Sequence, residues 1–227
     1  MEEEGEEVMT VNIHQGCSLE AMKSMKDNQY DLAVVDPPYG IGITGDIHPN
    51  IVNGPTPDWS NPRGKEYTQK EWDTQAPPLE YFQEVCRVSS NQIVWGGQYF
   101  TDKLPVSGGW IVWDKGVSMP TLGKAELAWT SMKNSVQMVR LLWAGYRKCE
   151  VTDRIHPTQK PVALYHWIYE KYASPGMKIL DTHLGSGSSA IAAWDCGLDF
   201  DGWELDVEYY AGAVSRYQEH IRQLKLF

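Results

Sequence analysis

Apolar and polar positions along the chain alternate or cluster in short runs. These predict strands at Val8–His14, Leu32–Val35, Gln92–Trp95, Trp110–Trp113, Leu127–Thr130, Lys178–Leu180 and Phe200–Trp203. Apolar steps of three and four predict helices over Leu19–Met25, Leu79–Val88, Val162–Tyr172, Ser188–Cys196 and Val207–Leu224. Strands and helices alternate at both ends of the chain, so the pattern predicts an α/β fold with a largely parallel sheet. The last helix repeats Tyr210, Val214, Tyr217, Ile221 and Leu224, a stripe expected to pack on that sheet. Gly40–Pro78 has no period and is rich in Gly, Pro, Asn and Asp. Loops of that length inside a domain are usually functional or disordered, and a mobile lid over 40–78 is the expectation.

Length and charge narrow the class. The 227 residues suit one domain, 11–227, behind an acidic and disordered start at 1–10 that holds Glu2, Glu3, Glu4, Glu6 and Glu7. No apolar run nears the roughly 18 residues that cross a bilayer. The acidic start is opposite in sign to a secretory leader. A cytoplasmic protein with no membrane partner is expected. Cys17, Cys86, Cys149 and Cys196 form no Cys-x-x-Cys pair, and no His cluster accompanies them, which favours reduced thiols and no metal. The net charge of −10 argues weakly against nucleic acid. Yet Lys133, Arg140, Arg147, Lys148, Arg154 and Lys160 face only Glu150 and Asp153 within 132–160. A solvated surface and an electrostatic footprint for nucleic acid both fit that stretch.

Two strand tips carry the chemistry. In "DLAVVDPPYG", Asp31–Gly40, an apolar run ends at Asp36 and meets Pro37, Pro38 and Tyr39. In "KILDTHLGSGSSAIAAWDCGLDFDGWELD", Lys178–Asp206, the order is strand, glycine loop, helix, strand, acid. Gly185 and Gly187 allow a tight turn, Ser188 can cap the next helix, and Glu204 ends the second strand where ribose hydroxyls would sit. A nicotinamide dehydrogenase is the rival reading of the second tip, since Ala190 falls where its fingerprint sometimes accepts Ala. The first tip has no evident use in hydride transfer.

The chain resembles the S-adenosylmethionine-dependent amino-methyltransferases of DNA. Asp36-Pro37-Pro38-Tyr39 resembles their catalytic motif and Leu180–Ser189 their cofactor loop, in the permuted order of the beta class. "HPTQKP" (His156–Pro161), "IVWGGQYF" (Ile93–Phe100) and "AELAWTS" (Ala125–Ser131) resemble further motifs of that class. The resemblance spans about residues 11–225. It implies a class I methyltransferase (Rossmann-like) fold, a mostly parallel seven-stranded sheet flanked by helices and circularly permuted. It also implies that the strands ending at Asp36 and Asp181 are neighbours. Two departures stand out. Gly16-Cys17 replaces the Gly-Asp whose acid contacts the adenine of the cofactor. Thr182-His183-Leu184 replaces the more common Pro-Phe pairing.

The resemblance assigns roles residue by residue. Asp36 and the Pro37 carbonyl would accept the two N–H groups of an adenine N6 amine, turning its lone pair toward the methyl group. Pro38 stiffens the turn, and Tyr39 would stack on the base. Cofactor contacts would come from Cys17, Asp181, His183, Gly185, Ser186, Gly187, Ser188 and Glu204. His156, Thr158 and Lys160 would border the methionine end, Lys160 bonding its carboxylate. The target base would be flipped from double-stranded DNA. Arg63 and Lys65 in the lid, and Lys133, Arg140, Arg147, Lys148 and Arg154 in a short recognition insert over 132–155, would meet DNA phosphates. Cytosine N4 is the alternative target, although that activity more often shows Ser or Thr in place of Asp36. A catalytically inactive DNA-binding subunit is the alternative of another kind. A homodimer is a further expectation, as many relatives dimerise. "QLKLF" at the terminus resembles a sliding-clamp-binding peptide, with Gln223, Leu224, Leu226 and Phe227 as the contacts.

Overall fold

The computed structural model describes residues 9–41, 73–117, 123–132, 135–144, 147–148 and 155–224. Elements follow in chain order: β1 (Val11–Gln15), α1 (Ser18–Lys23), β2 (Tyr30–Val35), α2 (Leu79–Val88), β3 (Ser89–Trp95), β4 (Trp110–Asp114) and β5 (Ala125–Thr130). Then come β6 (Gln137–Arg140), β7 (Trp143–Ala144), β8 (Arg147–Lys148), α3 (Val162–Tyr172), β9 (Lys178–Asp181), α4 (Ser188–Asp195), β10 (Asp199–Glu204) and α5 (Val207–Leu224).

The main sheet has the order β1-β10-β9-β2-β3-β5-β4-β6, with β7 and β8 in a separate hairpin pairing. Strands from β1 to β3 run parallel, and within the sheet β5 alone is reversed, since β4 and β6 regain the common direction. Seven strands are expected from the sequence and eight are found. The eighth, β6, lies in the stretch read as an insert. It pairs only with β4, and it exposes Met138 and Arg140 while burying Val139, so its apolar signal is weak.

Strand β2 shows why the central runs are apolar throughout. Leu32 and Val34 face one core with Leu164, Tyr165 and Ile168 of α3. Ala33 and Val35 face the other with Tyr81, Phe82 and Val85 of α2. A strand covered on both faces has no polar side to alternate. Helix α5 turns differently from the expected stripe: its buried positions are Tyr209 and Ala213, with Tyr210, Val214 and Tyr217 on the flanks. Gly187 explains the rotation. It has φ +75°, and a Cβ there would lie 3.2 Å from the Ala213 Cβ, so a small residue must face the glycine loop.

Strands β9 and β2 are parallel neighbours, in register at Ala33 and Leu180. From β9 the chain moves through α4 to β10 on one side, and from β2 through α2 to β3 on the other. The order reverses between them, which opens a crevice beyond their carboxyl ends. The two tips singled out in the sequence both end there.

Candidate active site

The crevice holds a cavity of about 1040 Å³. Asp36 and Pro38 line it from the β2 tip, Gly185, Ser186 and Ser188 from the glycine loop, and Glu204 from the end of β10. Gly16, Cys17, His156, Thr158, Lys160 and His183 line it as well. Positions 36 and 185 are thus on one cavity although 149 residues separate them in sequence. A smaller cavity of about 220 Å³ adjoins it and shares Asp36, Pro38, Thr158, Gln159 and Lys160.

Both oxygens of the Asp36 carboxylate are engaged. The Tyr39 hydroxyl donates to Oδ1 at 2.7 Å. Lys160 Nζ donates to Oδ2. The Tyr39 ring stacks on Tyr99 at 5.1 Å and meets Phe100 edge-on at 6.2 Å. Burial first, and then the Asp36 charge, raise the Tyr39 hydroxyl well above its ordinary pKa, so it remains a donor. Gly96 makes room for the ring: its φ is +68°, and a Cβ there would clash with Tyr39 Cε1. Gly40 N–H donates to Asp73 Oδ1 at 2.9 Å and ties together the two ends of the 40–78 excursion.

Lys160, expected beside a cofactor carboxylate, lines the large cavity and is also held by carboxylates of the protein itself. Only 4% of its side chain is exposed, and it pairs with Asp36 and, at 3.3 Å, with Glu126. Its ammonium also lies 5.2 Å from the centre of the Trp95 ring.

On the cofactor side, Glu204 Oε2 accepts from Gly185 N–H at 2.8 Å and Oε1 from Asp206 N–H at 2.9 Å. Burial raises its carboxyl, and those backbone donors oppose the shift. Asp181 is fully buried. Its oxygens accept from the Ser189 hydroxyl at 2.5 Å and from His183 N–H at 3.0 Å. Burial outweighs both bonds and pushes it up to about 7. Burial lowers His183 to about 4, so the ring is neutral at pH 7. Its Nδ1 lies 3.0 Å from Thr182 Oγ1, which in turn lies 2.6 Å from the Tyr81 hydroxyl. Gly187, not Ser188, occupies the N-cap of α4. The Ser188 hydroxyl instead accepts from Arg216 at 2.7 Å, and the same guanidinium nitrogen donates to the Ser186 carbonyl at 3.0 Å. The HPTQKP turn seats His156 against Gly185 and edge-on to Tyr209, at 4.3 Å between rings.

The remaining expected contacts are more dispersed. Arg140 is 75% exposed and its Nε donates to Asp114 Oδ2 at 2.7 Å. Arg147 and Lys148 form β8, and their side chains lie outside the described residues. Arg63, Lys65, Lys133, Arg154, Leu226 and Phe227 lie outside the described residues, as does the side chain of Leu224. Sequence reasoning missed Lys115, Glu126, Tyr81 and Arg216. Glu126 sits inside the AELAWTS segment, where an acid on a buried strand was a usable signal. Arg216 sits on the polar face of a helix and gives none.

The cavity fits an elongated nucleoside cofactor. Glu204 and the glycine loop at the start of α4 line it together, with His156, Thr158 and Asp36 also on its wall. The fold is that of the class I methyltransferases. Residues 113–215 match the family model described as DNA methylase, N6_N4_Mtase. The type II methyltransferase M2.MboI of Moraxella bovis is 25% identical over 251 residues, covering 94% of this chain and 90% of its own. The M1.HpyAVI–SAM complex superposes with TM-score 0.57 and 19% identity, over 91% of this chain and 100% of that one. The cytosine-N4-specific PvuII DNA methyltransferase gives TM-score 0.61 and 13% identity, over 94% and 92%. The motif order and these matches point the same way: the chain is similar, along most of its length, to S-adenosylmethionine-dependent DNA methyltransferases.

Proposed function

We propose that the chain methylates the N6 amine of an adenine flipped out of double-stranded DNA, with Asp36, Pro37, Pro38 and Tyr39 as the catalytic turn. The observation that carries this reading is the shared cavity: Asp36 and the glycine loop, through Gly185, Ser186 and Ser188, line one crevice. When bound there, S-adenosylmethionine would supply a sulfonium methyl for the amine nitrogen, the S–C electron pair would stay with sulfur, and one amine proton would leave to water. Asp36 and the Pro37 carbonyl accept the amine N–H groups and direct its lone pair. Proline geometry holds that second acceptor stiff. Glu204 takes ribose hydroxyls, and the glycine loop with Ser186 and Ser188 takes the methionine end. The gain is orientation and preorganised electrostatics.

An aspartate at position 36, where the resemblance sets Ser or Thr for cytosine enzymes, favours adenine. Incubating unmethylated DNA with protein and cofactor, then digesting to nucleosides for mass spectrometry, tests this. N6-methyladenine is the expected product. N4-methylcytosine would overturn the base assignment, and no methylated base would overturn the activity. Asp36→Ala should lower turnover by on the order of 10² to 10³, as loss of one preorganised partner does. Phosphate contacts from the basic stretch and the 40–78 segment, pairing of two copies, and a sliding-clamp contact through Gln223, Leu224, Leu226 and Phe227 rest on the sequence.

A further inference from the structure

Behind Asp36, the wall of the smaller cavity carries a line of alternating charges. Lys160 joins Asp36 Oδ2 to Glu126 Oε2, and Lys115 bonds the other Glu126 oxygen. Lys115 lies 5.1 Å from the Trp113 ring and Lys160 5.2 Å from Trp95, so aromatic faces enclose both ammonium groups. The order is acid, base, acid, base, and its net charge is zero. Such a line is stiff, because separating any neighbours leaves a charge unpaired in a poorly solvated place.

The geometry has a consequence for Asp36. A buried ammonium with a single carboxylate partner would be drawn onto that partner. Glu126 approaches Lys160 from β5 and divides its attraction. Burial alone would raise Glu126, but Lys160 and Lys115 outweigh it and hold the carboxyl below its ordinary range. Burial alone would lower Lys160, and Asp36 and Glu126 outweigh that in turn. Glu126 and Lys160 therefore both carry their charge at neutral pH.

We propose that Glu126 is a positioning residue for methyl transfer: by holding Lys160 from the β5 side, it fixes the orientation and the acceptor strength of the Asp36 carboxylate. This rests on the proposed methyl transfer to DNA. The groups that face Asp36 are Tyr39 on its own turn, Lys160 ahead of α3 and Glu126 on β5. Tyr81 on α2, Tyr165 on α3 and Asp181 on β9 interact with its charge from farther off. Without Glu126, Lys160 binds Asp36 alone, and the carboxylate becomes a weaker acceptor for the amine. Without Lys160, two carboxylates share an enclosed site and one of them takes a proton.

The test compares wild type, Glu126→Gln, Lys160→Met and the double variant for kcat against pH on DNA, with cofactor affinity by calorimetry. Glu126→Gln should lower kcat roughly 100-fold, as misplacement of a reacting group does, with cofactor affinity unchanged. Lys160→Met should move the acid limb of the kcat profile to higher pH, and adding Glu126→Gln should move that limb back. Glu126→Asp, which keeps the charge, should recover part of the lost kcat and serves if the Gln variant fails to fold. Wild-type kcat and profile in Glu126→Gln overturn the inference. An acid limb that stays put in the double variant overturns it as well. A wild-type protein that methylates no DNA overturns the proposed function itself, so the two failures are distinct.

Discussion

In the proposed reaction Asp36 works only if the groups around it leave its carboxylate aimed at the crevice, and Gly96 is among the least conspicuous of them. Its left-handed backbone and missing Cβ are what admit the Tyr39 ring beside Asp36. Gly96→Ala should leave cofactor binding intact and lower kcat by roughly 100-fold, since a misplaced tip costs that much. Paired calorimetry and turnover measurements would check it. Arg216 plays the corresponding part at the cofactor loop. It donates to Ser186 and Ser188 from α5, and charge-assisted bonds contribute about 1.5–3 kcal/mol each. Arg216→Ala should therefore weaken cofactor binding by roughly 10- to 100-fold, read as Kd by calorimetry, with little change in kcat at saturation. The Asp-Pro-Pro-Tyr turn and the paired glycines were legible in the sequence because their residue types are unusual at strand ends. Gly96 and Arg216 were not, because each acts through a neighbour distant in the chain, and Glu126 offered no more than an acid inside a strand.

At the level of elements, the tip after β9 sets two buried titrations against each other. Asp181 keeps its proton in the folded protein up to about 7, whereas the unfolded chain releases it near 3.8. Its contribution to stability is thus present at low pH and is lost as pH rises through that window. His183 is the reverse: folded, it takes a proton only near 4, while the unfolded chain takes one near 6.5. Its contribution is lost as pH falls from 6.5 toward 4. The two slopes oppose each other over nearly the same range. Asp181→Asn should leave a protein that loses stability on acidification, and His183→Asn one that loses it as pH rises. Urea midpoints at a series of pH values would separate them. The contact of α4 with α5 gives a second expectation at this scale. Gly187→Ala adds a Cβ against Ala213 in a left-handed position and should cost about 1–3 kcal/mol, a drop in Tm of several degrees. Helices α2 and α3 sit where the sequence predicts them, α2 with the stronger amphipathic period. The edge strand β6 was missed and the buried stripe of α5 was rotated. Half-exposed strands carry little apolar signal, and alanine contact is invisible to a count of large side chains.

Across the whole molecule, the proposed reaction depends on bringing β2, near the start of the chain, beside β9, near its end. A ligand filling the crevice touches both halves and should stabilise them together. S-adenosylmethionine at 100 times its Kd should add about 2.7 kcal/mol to unfolding, visible as a higher Tm that grows with cofactor concentration. The order of motifs, the apolar central strands and the chemistry of the two tips were determined by the sequence alone, because periodicity and residue type are local properties. Only the tertiary structure decided that Lys160 pairs with Asp36 and Glu126, that Arg216 braces the glycine loop, and that one cavity joins positions 36 and 185. Those pairings depend on which strands lie side by side, and strand order in a sheet is set by the packing of all its helices at once.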